Sequence, residues 1–209
     1  MRKLLLVLLT FTLYAWADPA PLGLEIGKAT VQDAKARWEE RYKKGWRSSL
    51  HKALLDFYHL AKVGRALELA CGTGENALFL ASKGFLVDAI DISCTAIEMA
   101  RQEAKARGLK VNFICADLDD YELLEDAYDL VINFYYLNRN LCPKIIKALK
   151  IGGLLIFETY NYKHLCVRED FNPEYLLKEG ELLELFKGLE VIYYREEFNI
   201  STLVGRKVF

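Results

Sequence analysis

The stretch ALELACGTGENA, residues 66–77, decides the fold that this sequence predicts. It begins as an apolar run, as expected for a buried strand, and it contains two glycines separated by one residue. Glycine adopts positive φ without penalty and lets another group approach the backbone closely. The stretch therefore predicts a strand, a tight loop and a helix start, an arrangement that often holds a nucleotide-like ligand. A simple tight turn without ligand is the alternative.

Short apolar runs alternate with amphipathic segments from residue 66 onward, which is typical of a mostly parallel sheet with helices on both faces. The predicted strands are Ala66–Leu69, Leu86–Asp91, Val111–Cys115, Tyr128–Phe134 and Leu154–Tyr160. The predicted helices are Glu75–Lys83, Thr95–Arg107, one that starts at Pro143, and Leu182–Phe186. Two further strand-like runs, Leu189–Phe198 and Ser201–Val208, are only a few residues apart. They predict an antiparallel hairpin that ends the sheet with one reversed edge strand.

Acidic residues stand at or just beyond the ends of three predicted strands. Glu68 lies near the end of the first strand, where burying a charge is unfavourable unless a partner compensates. Asp91 ends the second strand, 17 residues after Gly74, where a carboxylate can accept hydrogen bonds from both hydroxyls of a ribose. Asp117, in CADLDD, follows the third strand and could meet an adenine edge. For Asp91 and Asp117, capping of a helix is the alternative role.

The glycine loop alone leaves two cofactor classes open. GTGENA matches the G-x-G-x-x-A fingerprint of dinucleotide-binding proteins, so an NAD(P)-dependent oxidoreductase is one hypothesis. A pyrophosphate needs a bare helix N-terminus, whereas a sulfonium cofactor needs carboxylates and carbonyl groups around its positive centre. Because Glu68 precedes the glycines, Asp117 adds a third acid and a hairpin ends the chain, we favour S-adenosylmethionine.

The chain resembles the class I S-adenosylmethionine-dependent methyltransferases in four segments: ELACGTGENALFLASKGFLVDAIDIS, FICADLDD, YDLVINFYYLNRNLCPKIIKALKIGGLLIFETYN and NPEYLLKEGELLELF. It is most similar to the small single-domain type that includes tellurite-resistance and thiopurine methyltransferase relatives, and the similarity covers residues 37–209. The resemblance implies a Rossmann-like, doubly wound α/β sheet of seven strands, mostly parallel with an antiparallel last strand. The resemblance also implies a set of cofactor-binding residues: Glu68, Ala70, Gly72 and Gly74 at the methionine part, Asp91 with Ile92 at the ribose, Asp117 and Leu118 at the adenine, and Asn133 beside the sulfonium.

Two departures from the family pattern are visible. Ala70 and Cys71 stand where many members have glycine or an acid–glycine pair, which is a mild difference. No NPPY motif follows the fourth predicted strand, which argues against methylation of adenine or of a glutamine amide. The resemblance is therefore specific for the superfamily and weak for the substrate.

The methyl acceptor is predicted to lie against the loops after the fourth and fifth strands. The pocket candidates on these loops are Tyr135, Tyr136, Arg139, Tyr160 and His164. Tyr42 is a further candidate, from a stretch that in the resembling family packs over the cofactor, although an amphipathic helix with an aromatic core face is an equal alternative. Aromatic walls with few polar groups suit a small, partly apolar molecule, although tyrosines at the end of a sheet are more often packing residues. His164 is the best-placed base because histidine titrates near neutral pH, but a surface histidine is the more frequent role. The sequence assigns no catalytic residue and predicts no bound metal.

Composition and charge limit the partners. The 209 residues suffice for one sizeable core, and a net charge of −1 gives no field that would attract nucleic acid or an anionic membrane. A small-molecule acceptor is therefore expected, and the sequence does not specify an oligomeric state. The five cysteines form no CxxC pair, so reduced thiols are favoured over disulfides.

The N-terminus indicates a different compartment from the glycine loop. Residues 1–17 combine Arg2 and Lys3 with an apolar run and an Ala-Trp-Ala pattern, as in an export signal, although a leader without export function has the same pattern. We expect a leader at 1–17, a linker at 18–36 and a methyltransferase domain at 37–209. Because S-adenosylmethionine is made inside cells, we predict a cytoplasmic protein, membrane-associated only if the leader is retained. A noncatalytic exported protein with the same fold is the third hypothesis.

Overall fold

The structure, a computed structural model, describes residues 31–209. The strands are β1 (Arg65–Leu69), β2 (Leu86–Asp91), β3 (Val111–Cys115), β4 (Tyr128–Phe134), β5 (Leu149–Tyr160), β6 (Glu190–Glu197) and β7 (Ile200–Arg206). The helices are α1 (Val31–Lys43), α2 (Lys52–Phe57), α3 (Glu75–Ser82), α4 (Cys94–Ala106), α5 (Cys142–Ala148) and α6 (Glu181–Leu185). The predicted leader and most of the predicted linker lie outside the described residues, and α1 begins inside the linker. The domain boundaries therefore stay predictions.

The strands form one sheet in the order β3-β2-β1-β4-β5-β7-β6. The first five of these strands are parallel, so they all end at one edge, which we call the carboxyl edge. β1 and β4 are neighbours at the centre, and the chain leaves them toward opposite sides of the sheet, which is the usual place for a ligand in such folds. The predicted doubly wound sheet with an antiparallel last strand is confirmed.

The position of the reversed strand differs from the prediction. β7 runs antiparallel to both β5 and β6 and lies between them, so the edge of the sheet is β6. The five residues Ser201–Gly205 are all buried, whereas most of β6 is exposed or partly exposed. An interior strand is covered on both faces and paired on both sides, so the more apolar and smaller side chains of β7 occupy that place.

Two apolar layers cover the faces of the sheet. Ala66 and Leu130 face the layer that includes residues of α2, α3 and α4, while Leu67 and Val131 face the layer that includes residues of α5 and α6. All four side chains are fully buried, as expected for central parallel strands. Glu68 is therefore a carboxylate in the middle of an apolar sheet. Within residues 31–209 no helix combines the length and the apolar character needed to cross a bilayer.

A disulfide joins Cys94 and Cys115, so the prediction of reduced thiols is wrong for this pair. The reason is tertiary: β2 and β3 pair with Asp91 opposite Cys115, and α4 starts at Cys94, three residues after Asp91. The two Cα atoms are thereby brought to 5.1 Å although the residues are 21 positions apart in the chain. The other three cysteines are free thiols.

Candidate functional site

The loop between β1 and α3 uses the left-handed backbone region at three positions. The φ angle is 52° at Ala70, 54° at Gly72 and 79° at Gly74, so the positive φ predicted for both glycines is confirmed. The Cys71 N–H donates to the Ile90 carbonyl near the end of β2 (2.9 Å), which ties the loop to the neighbouring strand. Ala70 adopts the same region with a Cβ, which costs roughly 1 kcal/mol.

The glycines are also required by neighbouring side chains of the protein. A Cβ at Gly72 would collide with the Ser48 and Tyr42 hydroxyl oxygens, and a Cβ at Gly74 would collide with the Phe113 ring. From the sequence, a ligand was expected to approach the backbone closely at these glycines. In the structure, glycine is needed at both positions before any ligand is considered.

A segment that precedes β1, residues 42–51, covers the glycine loop. Ser48 Oγ accepts from the Thr73 N–H (2.9 Å), and the Ser48 N–H donates to Thr73 Oγ1 (2.8 Å). Tyr42 is buried beside the loop, and burial, with the nearby Asp91 carboxylate, raises the pKa of its hydroxyl. Tyr42 thus lies beside the glycine loop, in the stretch that the resemblance places over the cofactor.

Glu68 is buried, and its two carboxylate oxygens are unequally partnered. Its Oε1 accepts from Asn76 Nδ2 in α3 (2.8 Å), while Oε2 has no hydrogen-bond partner within residues 31–209. Burial raises the pKa of Glu68 to about 8, and the hydrogen bonds from Asn76 and from the Ala77 backbone only partly oppose this shift. A cationic group near Oε2 would compensate the carboxylate, in keeping with the predicted place of Glu68 near the methionine part of the cofactor.

Asp91 holds the glycine loop from the end of β2. Oδ2 accepts from the Gly72 N–H (2.7 Å) and Oδ1 accepts from the Ser93 N–H (2.8 Å). Burial raises the pKa of Asp91 to about 6, and the two N–H donors oppose that rise. Each carboxylate oxygen can accept a second hydrogen bond, so the predicted contacts with two ribose hydroxyls are chemically available. Ile92, which follows, is partly buried.

Asp117 and Leu118 follow β3 in a turn. Asp117 Oδ1 accepts from the Asp119 N–H (2.9 Å), which is a local turn contact rather than a helix cap. Leu118 is buried in the apolar layer that includes α5 and α6. The predicted adenine contact at these residues stays a prediction.

Asn133 is buried at the carboxyl edge of β4, opposite Leu69 of β1. Its Nδ2 donates to the Tyr136 carbonyl (2.7 Å), and its Oδ1 has no hydrogen-bond partner within residues 31–209. A buried amide oxygen without a donor is unfavourable by about 1–3 kcal/mol. Asn133 Oδ1 therefore has an unused acceptor position that a ligand at the predicted sulfonium position can approach.

Aromatic rings line the loops after β4 and β5. The Tyr135 and Tyr160 ring centroids are 4.7 Å apart, and His164 stacks on Tyr160 at 3.8 Å with the Phe171 ring against its edge. His164 is only 6% exposed, and its Nδ1 lies 2.9 Å from Asn199 Nδ2. The expectation of a surface histidine is therefore wrong, because a short 3₁₀ turn places the ring against Tyr160 and Phe171.

Two other pocket candidates are held by contacts away from this aromatic row. The Arg139 guanidinium pairs with Glu181 of α6 (2.6 Å) and donates to the Leu176 carbonyl (3.0 Å). The Tyr136 hydroxyl accepts from Asn138 (3.4 Å), and burial raises its pKa to about 12. Arg139 therefore clamps the loop after β4 onto α6.

Sequence reasoning missed His51 and Asn76. The His51 N–H donates to Asn76 Oδ1 (3.0 Å), and the His51 ring stacks on Phe134 with centroids 4.2 Å apart. The two residues are 25 positions apart, so no local pattern connects them. The available signal was the position of Asn76 in the first turn of the helix that follows the glycine loop.

Comparison with known proteins identifies the central part of this structure. Residues 66–153 match the family model described as "Methyltransferase domain", and the match spans the glycine loop, Asp91, Asp117 and Asn133. The chain carries a class I S-adenosylmethionine-dependent methyltransferase domain. The family, the fold and the cofactor class predicted from the sequence are thereby confirmed.

Individual proteins that resemble this methyltransferase domain share low sequence identity with it. The chain is 26% identical over 161 residues to the probable S-adenosyl-L-methionine-dependent methyltransferase TehB of Haemophilus influenzae, covering 71% of this chain and 54% of that protein. It is 32% identical over 132 residues to a putative methyltransferase of a Geobacillus strain, covering 57% and 53%. The chain thus spans about half the length of these relatives. The crystal structure of Haemophilus influenzae TehB aligns with a TM-score of 0.67 at 21% identity, over 81% of this chain and 67% of that chain, which shows a common fold.

Proposed function

We propose that this protein uses S-adenosylmethionine to transfer a methyl group to a small-molecule acceptor by in-line displacement. The observation that carries the proposal is the buried Asn133 Oδ1 at the carboxyl edge, to which no group among residues 31–209 donates a hydrogen bond. Asp91 at the neighbouring strand end offers free acceptor capacity. These groups fit a ligand that has ribose hydroxyls and a positively charged centre.

The residues of this chain divide the binding task. Asp91 would accept hydrogen bonds from the ribose, Asp117 and Leu118 would flank the adenine, and Asn133 and Glu68 would lie near the positive end. When bound, the cofactor supplies a methyl group on a positively charged sulfur. The protein then has to align the acceptor and exclude water, and positioning alone can contribute on the order of 7–11 kcal/mol.

The acceptor proposed is small and partly apolar. The row formed by Tyr135, Tyr160 and His164 presents ring faces and few charges beside the carboxyl edge. Such walls suit a planar or aliphatic molecule with one reacting group. The net charge of −1 provides no general attraction for nucleic acid, which supports a small molecule over a polynucleotide.

We propose a cytoplasmic location, because the cofactor is made inside cells. The Cys94–Cys115 disulfide opposes this proposal, since such bonds are typical of oxidising compartments. Intracellular proteins of hyperthermophiles also contain disulfides, and the presence of only two glutamines is in keeping with a heat-adapted source. Fractionation of the native host, with sequencing of the mature N-terminus, tests the location.

The cofactor proposal is tested by calorimetry with S-adenosylhomocysteine. We expect the wild-type protein to bind and Asp91→Ala to bind about 10- to 100-fold more weakly, because two charge-assisted hydrogen bonds are lost. Asp120→Ala, an exposed acid in the Asp117 turn, is the matched control and should bind as the wild type does. Absence of binding at millimolar S-adenosylhomocysteine would falsify the proposal, and binding of a nicotinamide dinucleotide instead would favour the oxidoreductase hypothesis.

A further inference from the structure

A chain of hydrogen bonds runs from the interior of the sheet to a histidine near the acceptor side. Asn76 Nδ2 donates to Glu68 Oε1 (2.8 Å). On its other side, Asn76 Oδ1 accepts from the His51 N–H (3.0 Å) and lies 3.1 Å from His51 Nδ1. The Asn76 amide is thereby held between β1 and the segment of residues 42–51 that covers the glycine loop.

The His51 ring lies beside the proposed reaction site. It stacks on Phe134, the last residue of β4, with centroids 4.2 Å apart and planes 4° from parallel. Its centroid is 5.3 Å from that of Tyr135, which begins the aromatic row. Because Phe134 is the last residue of β4, the imidazole lies at the carboxyl edge, where the cofactor and the acceptor are proposed to meet.

The contacts of His51 Nδ1 with the Asn76 amide fit two tautomers of the neutral ring, one of which leaves Nε2 available. A backbone N–H can only donate, so the Asn76 atom that faces it is the oxygen. This oxygen lies 3.1 Å from Nδ1, and Asn76 Nδ2 lies 3.0 Å from the same ring nitrogen. The contact with the oxygen requires the proton on Nδ1 and leaves a lone pair on Nε2, whereas a contact with Nδ2 requires the proton on Nε2. Nε2 has no hydrogen-bond partner in the part of the chain from 31 to 209.

We propose that His51 Nε2 is the base that accepts the proton of the methyl acceptor, with Asn76 and Glu68 as positioning residues. This inference rests on the proposed methyltransferase function. It names the acceptor class as a neutral protic nucleophile, a thiol or a phenolic hydroxyl, rather than a preformed anion. The acceptor's S–H or O–H proton moves to Nε2, and its electron pair forms the bond to the methyl carbon. The electron pair of the broken carbon–sulfur bond stays on sulfur, and the imidazolium later loses the proton to solvent.

The surroundings of His51 keep the ring neutral. Burial lowers its pKa, and the Asn76 hydrogen bond opposes that decrease. The titratable groups that face it are Glu68 of β1 through Asn76, Tyr135 after β4, and Glu158 of β5 through the Tyr135 hydroxyl. On its own element, Lys52 and Asp56 pair with each other. The neutral ring is the form that can accept a proton.

The tautomer is tested by nitrogen-detected NMR of the protein without ligand. The chain has three histidines, so His59→Gln and His164→Gln assign the remaining signals to His51. We expect a neutral ring at pH 7 with the proton on Nδ1, and we expect Asn76→Ala to abolish this preference. A proton on Nε2, or a charged ring at pH 7, would overturn the proposal irrespective of any activity.

The catalytic role is tested with 2-mercaptoethanol and catechol as methyl acceptors. We expect His51→Gln to lower kcat by about 100-fold, a typical contribution of a general base, without changing the affinity for S-adenosylhomocysteine. The wild-type kcat should fall at low pH as His51 becomes charged, and this fall should be absent in the variant. His59→Gln, in an exposed residue, is the matched control. Equal kcat for His51→Gln and the wild type overturns the inference, whereas failure of the wild type to bind S-adenosylhomocysteine overturns the proposed function itself.

Discussion

Two acidic side chains are buried in adjacent strands of this sheet, and they differ in the donors and cations that surround them. Asp88 in β2 accepts from the Arg65 guanidinium (2.8 Å), the Tyr128 hydroxyl (3.0 Å) and the Asn112 amide (2.7 Å). Glu68 in β1 has one side-chain donor, Asn76, and no cation, and its Oε2 lacks a partner within residues 31–209.

The difference follows the direction of the strands. Asp88 lies in the first half of β2, away from the carboxyl edge, and Arg65 reaches it from the start of β1. Glu68 lies one residue before the end of β1, where the glycine loop begins. The fully partnered carboxylate stabilises the fold, whereas the partly partnered carboxylate lies where a ligand is proposed. Substitutions at and near Asp88 and Glu68 separate these two roles.

The largest effect is expected for Asp88→Ala. The substitution leaves the Arg65, Tyr128 and Asn112 donors without their acceptor, and we expect a loss of about 2–3 kcal/mol in the free energy of unfolding. The expected loss is at the low end because the Arg65 side chain is 40% exposed and can be hydrated. Urea unfolding at pH 7 measures it.

Asp88→Ala should leave the affinity for S-adenosylhomocysteine unchanged once the folded fraction is accounted for. Asp88→Asn, which keeps one acceptor oxygen, should lose less stability than Asp88→Ala. A large loss of ligand affinity in either variant would contradict a purely structural role for Asp88.

A pH-dependent effect of intermediate size is expected for Glu68→Gln. The folded state holds the Glu68 proton up to about pH 8, whereas the unfolded chain releases it near the ordinary value of 4.5. The folded state therefore binds more protons between these values, so wild-type stability should fall as pH rises and level off above about pH 8. The steepest slope is about 1.4 kcal/mol per pH unit.

Glu68→Gln should remove the part of this slope that extends from about pH 6 to about pH 8, because the pKa of Asp91 reaches only about 6. Asp91→Asn is the matched variant and should instead flatten the slope of stability below about pH 6. Urea unfolding at several pH values measures both. If Glu68→Gln and the wild type show the same slope, Glu68 is better compensated than its hydrogen bonds indicate.

The smallest effect is expected for Ala70→Gly. Ala70 lies two residues after Glu68 and adopts the left-handed backbone region, so glycine relieves strain of roughly 1 kcal/mol. Glycine also increases the entropy of the unfolded chain by about 0.4–1 kcal/mol, so the net change should be within about 0.5 kcal/mol. Ala66→Gly, in the buried strand β1 that precedes Ala70, should lose about 1 kcal/mol. Thermal unfolding compares them, and an equal loss in both variants would contradict strain at Ala70.

Much of the fold could be predicted because it depends on local patterns. The bounds of β2, β3 and β4 agree with the predicted strands, since apolar runs between helices specify buried parallel strands. The place of β7 inside the sheet was not predictable from the hairpin alone. Both orders satisfy the hairpin, and the burial of each strand against the rest of the sheet decides between them.

The site was predictable only in part. Gly72, Gly74 and Asp91 could be placed because a strand end, a loop and a helix start follow one another in sequence. His51 could not, since its contacts with Asn76 and Phe134 join positions far apart in the chain. The contact of Arg139 with α6 could not be predicted for the same reason, because its partner Glu181 is 42 residues away.

The sequence by itself determined the alternation of strands and helices, the left-handed glycine loop and the acids at the strand ends, because each depends on neighbouring residues. Only the tertiary structure decided which buried groups are compensated. Asp88 meets a guanidinium and Cys94 meets Cys115 because adjacent strands bring them together, while Glu68 and Asn133 each keep one oxygen that no group of the described chain partners. The physical reason is that hydrogen bonds and charge pairs act over a few ångströms, a distance that chain separation does not report.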